Sequence, residues 1–202
     1  MKGFYTAFDV FPAPNGASTH MVHFLQALNQ EHVLKAFLLG EPGYKIEEEW
    51  KGIKIERLIA PENHFLEKTV QFAESVLKIV HEWQPQVVHF RSLWDGYPLL
   101  LHRSTLCPQL YTLYEVNGVP SMEILHHFPD LPAALLEKIR QQETFVFQHA
   151  DHFICPSQVT FDFLIQQKVP AEKISLIPNG CDTELFTPKD IRNEIPLILY
   201  AG

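Results

Sequence analysis

Two short polar stretches of this chain set residues that could do chemistry at the ends of apolar runs. Asn15-Gly16-Ala17-Ser18 follows the apolar run from Phe4 to Val10 and precedes a segment whose apolar positions Met21, Leu25 and Leu28 recur at helical spacing. Strand, glycine turn and helix in that order aim the helix's free N–H groups and positive dipole end at the crevice beyond the strand, where an anion or a polar ligand can dock. A single glycine stands where a dinucleotide fingerprint has three, so the spacing predicts a backbone cradle and no more. The second stretch is Glu115-Val-Asn-Gly118, the polar tip of a run that begins at Pro108. Asn117 can hydrogen-bond a hydroxyl but cannot shuttle a proton, which leaves Glu115 as the titratable group there, and Gly118 permits the turn.

Other reactive residue types are present without a pattern that uses them. His20/His23 and His149/His152 sit three apart, but no carboxylate or cysteine set accompanies them in the sequence, so no metal centre is expected. His89 lies in the middle of the run from Pro85 to Ser92 and reads as a buried, hydrogen-bonded histidine; Arg91 and Ser92 lie nearer the crevice end. Cys107, Cys155 and Cys181 are odd in number and widely spaced, which argues against a disulfide framework or zinc site and makes a reducing cytoplasm the simplest compartment. With 16 Lys and Arg against 24 Asp and Glu, the formal charge of −8 gives no sign of the clustered basic face that nucleic acid requires, and no nucleic-acid partner is expected. Asp9 interrupts the first apolar run before any cleavage site, and no run approaches the ~20 apolar residues of a membrane span, so the expectation is a soluble chain, at most peripheral at the inner face of a membrane.

The elements that must hold these residues are read from periodicity. The 202 residues, 46% of them hydrophobic, suffice for one full domain. Val33 to Leu39 and Gly52 to Ile59 read as strands, with the charged segment Tyr44 to Lys51 exposed between them. Leu66, Val70, Ala73, Leu77 and Val80 predict the core-facing stripe of a helix that turns Glu67, Lys68, Glu74 and Lys78 to solvent. Further strands are expected at Pro85 to Ser92, Pro108 to Gly118, His152 to Cys155 and Lys173 to Ile177. Helices are expected after Trp94-Asp-Gly96, from Pro132 to Phe147, and from Val159 to Gln167 behind the start signal at Ser157; a loop carries His126-His127. Alternation of strand and helix predicts an α/β, Rossmann-like doubly wound parallel sheet with helices on both faces and its cleft at the strand carboxyl ends.

The run from Lys173 to Pro188 ends that pattern. Ile174, Leu176 and Ile177 are stopped by Pro178, and Asn179-Gly180 supplies a sharp turn. Beyond Phe186-Thr-Pro188 and the polar stretch Lys189 to Glu194, a new apolar strand, Leu197 to Tyr200, stops at Gly202. Pro178-Asn-Gly-Cys-Asp182 with Phe186-Thr-Pro188 resembles the hinge "PNG(V/C)D…F.P" of the two-domain nucleotide-sugar glycosyltransferases of family 4, type-B (GT-B) fold. Ala150-Asp-His-Phe-Ile-Cys-Pro-Ser157, Pro14 to Val22 and Pro85 to Ser92 are similar to three further family blocks, in family order.

The resemblance implies an N-terminal, acceptor-side domain at 1–188, then at 189–202 a linker and the first strand of a C-terminal donor-binding domain. It implies a retaining transferase moving a sugar from a nucleotide-sugar donor to a glycan, lipid or small-molecule acceptor, with that donor as co-substrate and no cofactor, and with 1–202 inactive alone. Substrate-binding residues carried over are Asn15, Gly16, Ala17, Ser18, Asn117 and Gly118, with an acceptor surface from Val119 to Asp130. The family commonly has histidine where Asn117 stands, so the catalytic role is unassigned, with Glu115 and Asn117 as candidates near the transferred sugar. Two alternatives are a nucleotide-sugar epimerase of the same architecture, releasing a free sugar, and a non-catalytic flavodoxin-like binding module, against which the strand after the linker argues.

Overall fold

The computed structural model describes residues 1–59, 65–184 and 186–187. The strand expected at 197–200, the linker before it and the domain boundary at 188/189 lie outside these residues. Among them, eight strands form one sheet in the order β3 (Glu47–Trp50), β4 (Ile53–Ile59), β2 (Val33–Gly40), β1 (Lys2–Val10), β5 (Val87–Phe90), β6 (Tyr111–Glu115), β7 (His152–Cys155) and β8 (Ile174–Leu176). Every neighbouring pair is parallel except β3 with β4. The chain winds outward from β1 in both directions, so the switch of strand order, and the crevice it opens, lies between β1 and β5.

Side chains alternate across the pleat and fill two cores. Phe4, Phe37 and Val88 pack with residues of α2 (Phe65–Trp83), α3 (Leu93–Leu106) and α5 (Ala133–His149), among them Phe72, Leu99 and Val146. Tyr5, Ala36, Leu38 and Ile55 face the other way, onto Met21 and Leu25 of α1 (Gly16–Asn29). A short helix, α4 (Pro120–His127), precedes α5, and α6 (Gln158–Gln166) packs on β7 and β8, started by Ser157, whose Oγ accepts from the Thr160 N–H. The doubly wound α/β sheet is thus as expected.

Three local expectations are corrected. The charged segment Tyr44 to Lys51 is no mere exposed connection, because Glu47–Trp50 forms an antiparallel edge strand on β4. The turn between them, Lys51-Gly52, has positive φ at both residues, the hairpin geometry that matches strand twist. Arg57, buried in β4, fixes the hairpin by donating to the Phe11 carbonyl at 2.7 Å and the Glu48 carboxylate at 2.5 Å.

Of the stripe expected for α2, Val80 is buried as expected, but the N-terminal part is out of phase. Thr69, Phe72, Val76, Ile79 and Val80 are buried, whereas Leu66 and Val70 are 61% and 56% exposed. The helix carries two adjacent apolar stripes, and the one with the aromatic ring meets the sheet. Lastly, the expected loop at His126-His127 is the last turn of α4. Pro120 occupies its first turn, and the carboxylate of buried Glu143 on α5 accepts from the Ser121 N–H at 2.7 Å, satisfying a helix N-terminus from outside.

Candidate functional site

β1, β5 and β6 end on the same side of the sheet, and the segments after these three strands meet there. A crevice of about 290 Å³ is bordered by Asp9 from the end of β1, Ala17 from α1, Arg91 and Ser92 beyond β5, Asn117 and Gly118 beyond β6, and Glu123 from α4. Phe8, Trp94 and Tyr114 supply its apolar floor. Of the two stretches singled out in the sequence, Ala17 of the first and Asn117 and Gly118 of the second meet at the crevice, whereas Asn15, Gly16, Ser18 and Glu115 are not among its lining residues; β6 stops at Glu115, leaving Asn117 and Gly118 free to bend over the crevice.

Within the first stretch the residues divide their work. Asn15 caps α1, its Oδ1 accepting from the Ser18 N–H at 2.8 Å, and the Ser18 Oγ, buried, accepts from the Ala13 N–H at 2.9 Å. Both polar side chains are thus engaged in holding the loop. Gly16 opens the helix without left-handed φ, and open space lies where its Cβ would be. A positive-φ requirement at Gly16 is therefore absent; what the glycine provides is room above the N-terminus of α1.

Glu115 is the hub of the second stretch. Its Oε1 accepts from Asn117 Nδ2 at 2.7 Å and Arg91 Nε at 3.2 Å, its Oε2 is 2.9 Å from His89 Nε2, and His20 Nε2 approaches Oε1 at 3.0 Å, an ion-pair distance without hydrogen-bond alignment. Burial by itself would raise the Glu115 pKa, but His20, His89 and the Arg91 charge reverse that and hold the carboxylate well below its usual range. His89 is buried as expected, and burial lowers its pKa against the pull of Glu115, so Nε2–H donates and the ring stays neutral. His20 does have a carboxylate partner, one supplied by a strand 95 positions away in the sequence and so hidden from local spacing. Among the described residues, no group of three histidines, cysteines or acids is placed to hold a metal ion.

The sequence reading passed over Asp9 as a site residue, whereas Glu123 falls within the acceptor surface expected from Val119 to Asp130. Asp9 is 3.4 Å from Arg91 Nη1, and burial raises its pKa against that charge. Its place at the carboxyl end of the central strand was the available signal. Glu123 rests its carboxylate against Gly118, where a Cβ would lie, so the two residues share one corner of the crevice. The arrangement offers two carboxylates, one guanidinium and an amide around an aromatic floor, a set suited to hydrogen-bonding the hydroxyl groups of a polar ligand.

A family model described as Glycosyltransferase Family 4 matches residues 14–185. No curated protein matches the sequence. Solved structures of similar fold include sucrose-phosphate synthase from Thermosynechococcus elongatus, 15% identical with a TM-score of 0.69, the match covering 94% of this chain and 51% of that one. Another is HepE from Anabaena in complex with UDP-glucose, 16% identical, TM-score 0.62, covering 94% and 47%. UDP-GlcNAc 2-epimerase from Neisseria meningitidis bound to UDP-GlcNAc is 11% identical, TM-score 0.57, covering 86% and 45%. The chain thus spans about half the length of these structures. No helix among its described residues is long and apolar enough to cross a membrane.

Proposed function

The chain belongs to glycosyltransferase family 4, and we propose that residues 1–188 are the acceptor-side domain of a retaining glycosyltransferase whose donor is a nucleotide sugar. The observation that carries this reading is the meeting of Ala17, Asn117 and Gly118 with Asp9 and Arg91 in one crevice at the strand switch point. The complexes of HepE with UDP-glucose support the donor class, and the half-length match to that structure supports a donor-binding second domain entered through 189–202. The enzyme would act in carbohydrate biosynthesis in the cytoplasm, at most peripheral at the inner face of a membrane.

In this reading the acceptor hydroxyl attacks the anomeric carbon as the bond to the nucleotide phosphate breaks, and its proton leaves to the departing phosphate or a crevice carboxylate. Asp9 is the carboxylate suited to meet that hydroxyl, since it is at the crevice and has its pKa raised by burial. Glu115, fully engaged, acts as a positioning residue for Arg91 and Asn117. With one N–H of Asn117 Nδ2 given to Glu115, its second N–H and its amide oxygen are left for a sugar hydroxyl. Gly16 and Ala17 leave the N-terminus of α1 open to the ligand.

The test is full-length protein incubated with mixed nucleotide sugars, with and without acceptors. Acceptor-dependent release of free nucleotide with glycoside formation is expected; acceptor-independent release of a free sugar would replace this reading with the epimerase one, for which the epimerase-like fold is the support. Asn117→Ala and Gly16→Val should lower kcat/KM by about 10- to 100-fold with melting temperatures unchanged. Loss of activity only in step with loss of folded protein would remove both residues from the site.

A further inference from the structure

Beside the crevice lies a larger apolar cavity, about 690 Å³, enclosed by the N-terminal ends of α2, α3 and α5 and by α4. Leu66, Val70, Trp94, Tyr97, Phe128 and Leu135 are among its walls. Leu66, Val70 and Phe128 are 61%, 56% and 42% exposed, so the opening is rimmed by large apolar side chains that folding leaves in water. Isolated exposed apolar residues are ordinary, but several gathered around one concavity mark a binding surface. The second apolar stripe of α2 has the same meaning: Phe72, Val76 and Ile79 already satisfy the core, and Leu66, Val70 and Ala73 line the cavity instead. Its shape is maintained by rings, with Phe65 edge-on to Trp94 at 5.2 Å and tilted against Phe128 at 5.6 Å.

Trp94 borders both spaces, so the apolar cavity and the polar crevice share a wall. We propose that this cavity receives the apolar tail of an amphiphilic acceptor whose hydroxyl-bearing head occupies the crevice. The inference rests on the acceptor-side reading and narrows it to a substrate class. Size favours a chain over a docked protein segment: a helix with side chains is about 10 Å across with a 5.4 Å pitch, so the cavity would hold fewer than about two turns. Position favours it too, since the N-terminal ends of these helices lie on the carboxyl-end side of the sheet, where the crevice opens.

Binding can be read without any transfer. Full-length protein is titrated calorimetrically, in the absence of donor, with monomeric n-alkyl glucosides from methyl to dodecyl. Each added methylene should tighten Kd by about fourfold until the cavity is filled, after which the series levels off. Val70→Glu and Leu66→Glu, both at positions already exposed, should weaken dodecyl glucoside by at least about tenfold and leave methyl glucoside unchanged, whereas Leu101→Glu on the outside of α3 should change neither. A flat chain-length series, or binding seen only with micelles or vesicles, overturns the proposal, the latter in favour of membrane docking. A change of oligomeric state on Val70→Glu in sedimentation overturns it in favour of an interface between copies. Chain-length-dependent binding in a protein that transfers no sugar would keep the cavity assignment and sink the transferase reading, so the two fail separately.

Discussion

Asp95 and Glu115 are both buried carboxylates, and the fold moves them in opposite directions. Glu115 is surrounded by donors and stays ionised. Asp95, in the first turn of α3, has its Oδ1 filled by the Ser92 hydroxyl at 2.6 Å and the Gly96 N–H at 3.0 Å, but its Oδ2 makes no hydrogen bond of ordinary geometry. Burial outweighs the bonds it does make and raises its pKa from 3.8 to about 7. Because the unfolded chain ionises Asp95 more readily, the folded state is favoured fully below pH 3.8 and loses this contribution as the pH climbs to about 7, beyond which the loss is constant. At ~1.36 kcal/mol per unit the whole effect is on the order of 4 kcal/mol. Asp95→Asn keeps the Oδ1 acceptor and removes the charge. Urea midpoints are therefore expected to be higher for Asp95→Asn than for the parent at pH 8, with the gap closing as the pH falls toward 4; a gap independent of pH would show that the carboxyl is not the origin.

At the scale of elements, two glycines show that equal crowding has unequal consequences. A Cβ on Gly96, inside α3, would enter the ring of Phe90, which is fully buried between β5 and the helix. A Cβ on Gly118 would collide with the Glu123 carboxylate, the far end of an exposed side chain. Gly96→Ala is expected to cost ~1–3 kcal/mol by overpacking, net of the small helix-propensity gain. Gly118→Ala should cost less than ~1 kcal/mol, because Glu123 can swing toward solvent, yet it empties one corner of the crevice and should raise the acceptor KM. Denaturant midpoints beside initial rates of the full-length enzyme check this, and equal destabilisation by the two changes would refute it. Helix α4, which carries Glu123, has no side-chain cap of its own: its N-terminus is satisfied by Glu143, 22 residues downstream, and its local start signal, Pro120 in the first turn, reads equally as a turn residue after Gly118. Where caps are local, as at Asn15 and Ser157, the helix starts were legible.

For the molecule as a whole, the alternation of strands and helices made the sheet legible, and with it the convergence of Asn117, Gly118 and Ala17, because in a parallel sheet all strand ends of one kind share an edge. The partners within that edge were not legible, since His20, His89, Arg91 and Glu115 come from α1, β5, its following loop and β6 and meet only through register. The same assembly makes a prediction about the donor. Arg91 is the cation bordering the crevice among the described residues, and it is already matched by Asp9 and Glu115, while Glu123 adds a further negative charge and the chain's formal net charge is −8. A nucleoside diphosphate brought to this surface meets repulsion that the open N-terminus of α1 offsets only in part, so its phosphates need cations from another part of the full-length protein. Calorimetric titration of the 202-residue chain with UDP at low salt should show no saturation below ~1 mM, and full-length protein should bind at least ~100-fold more tightly. A dissociation constant near ~10 μM for the 202 residues alone would mean that this half holds the donor, and the division of labour proposed above would be reversed.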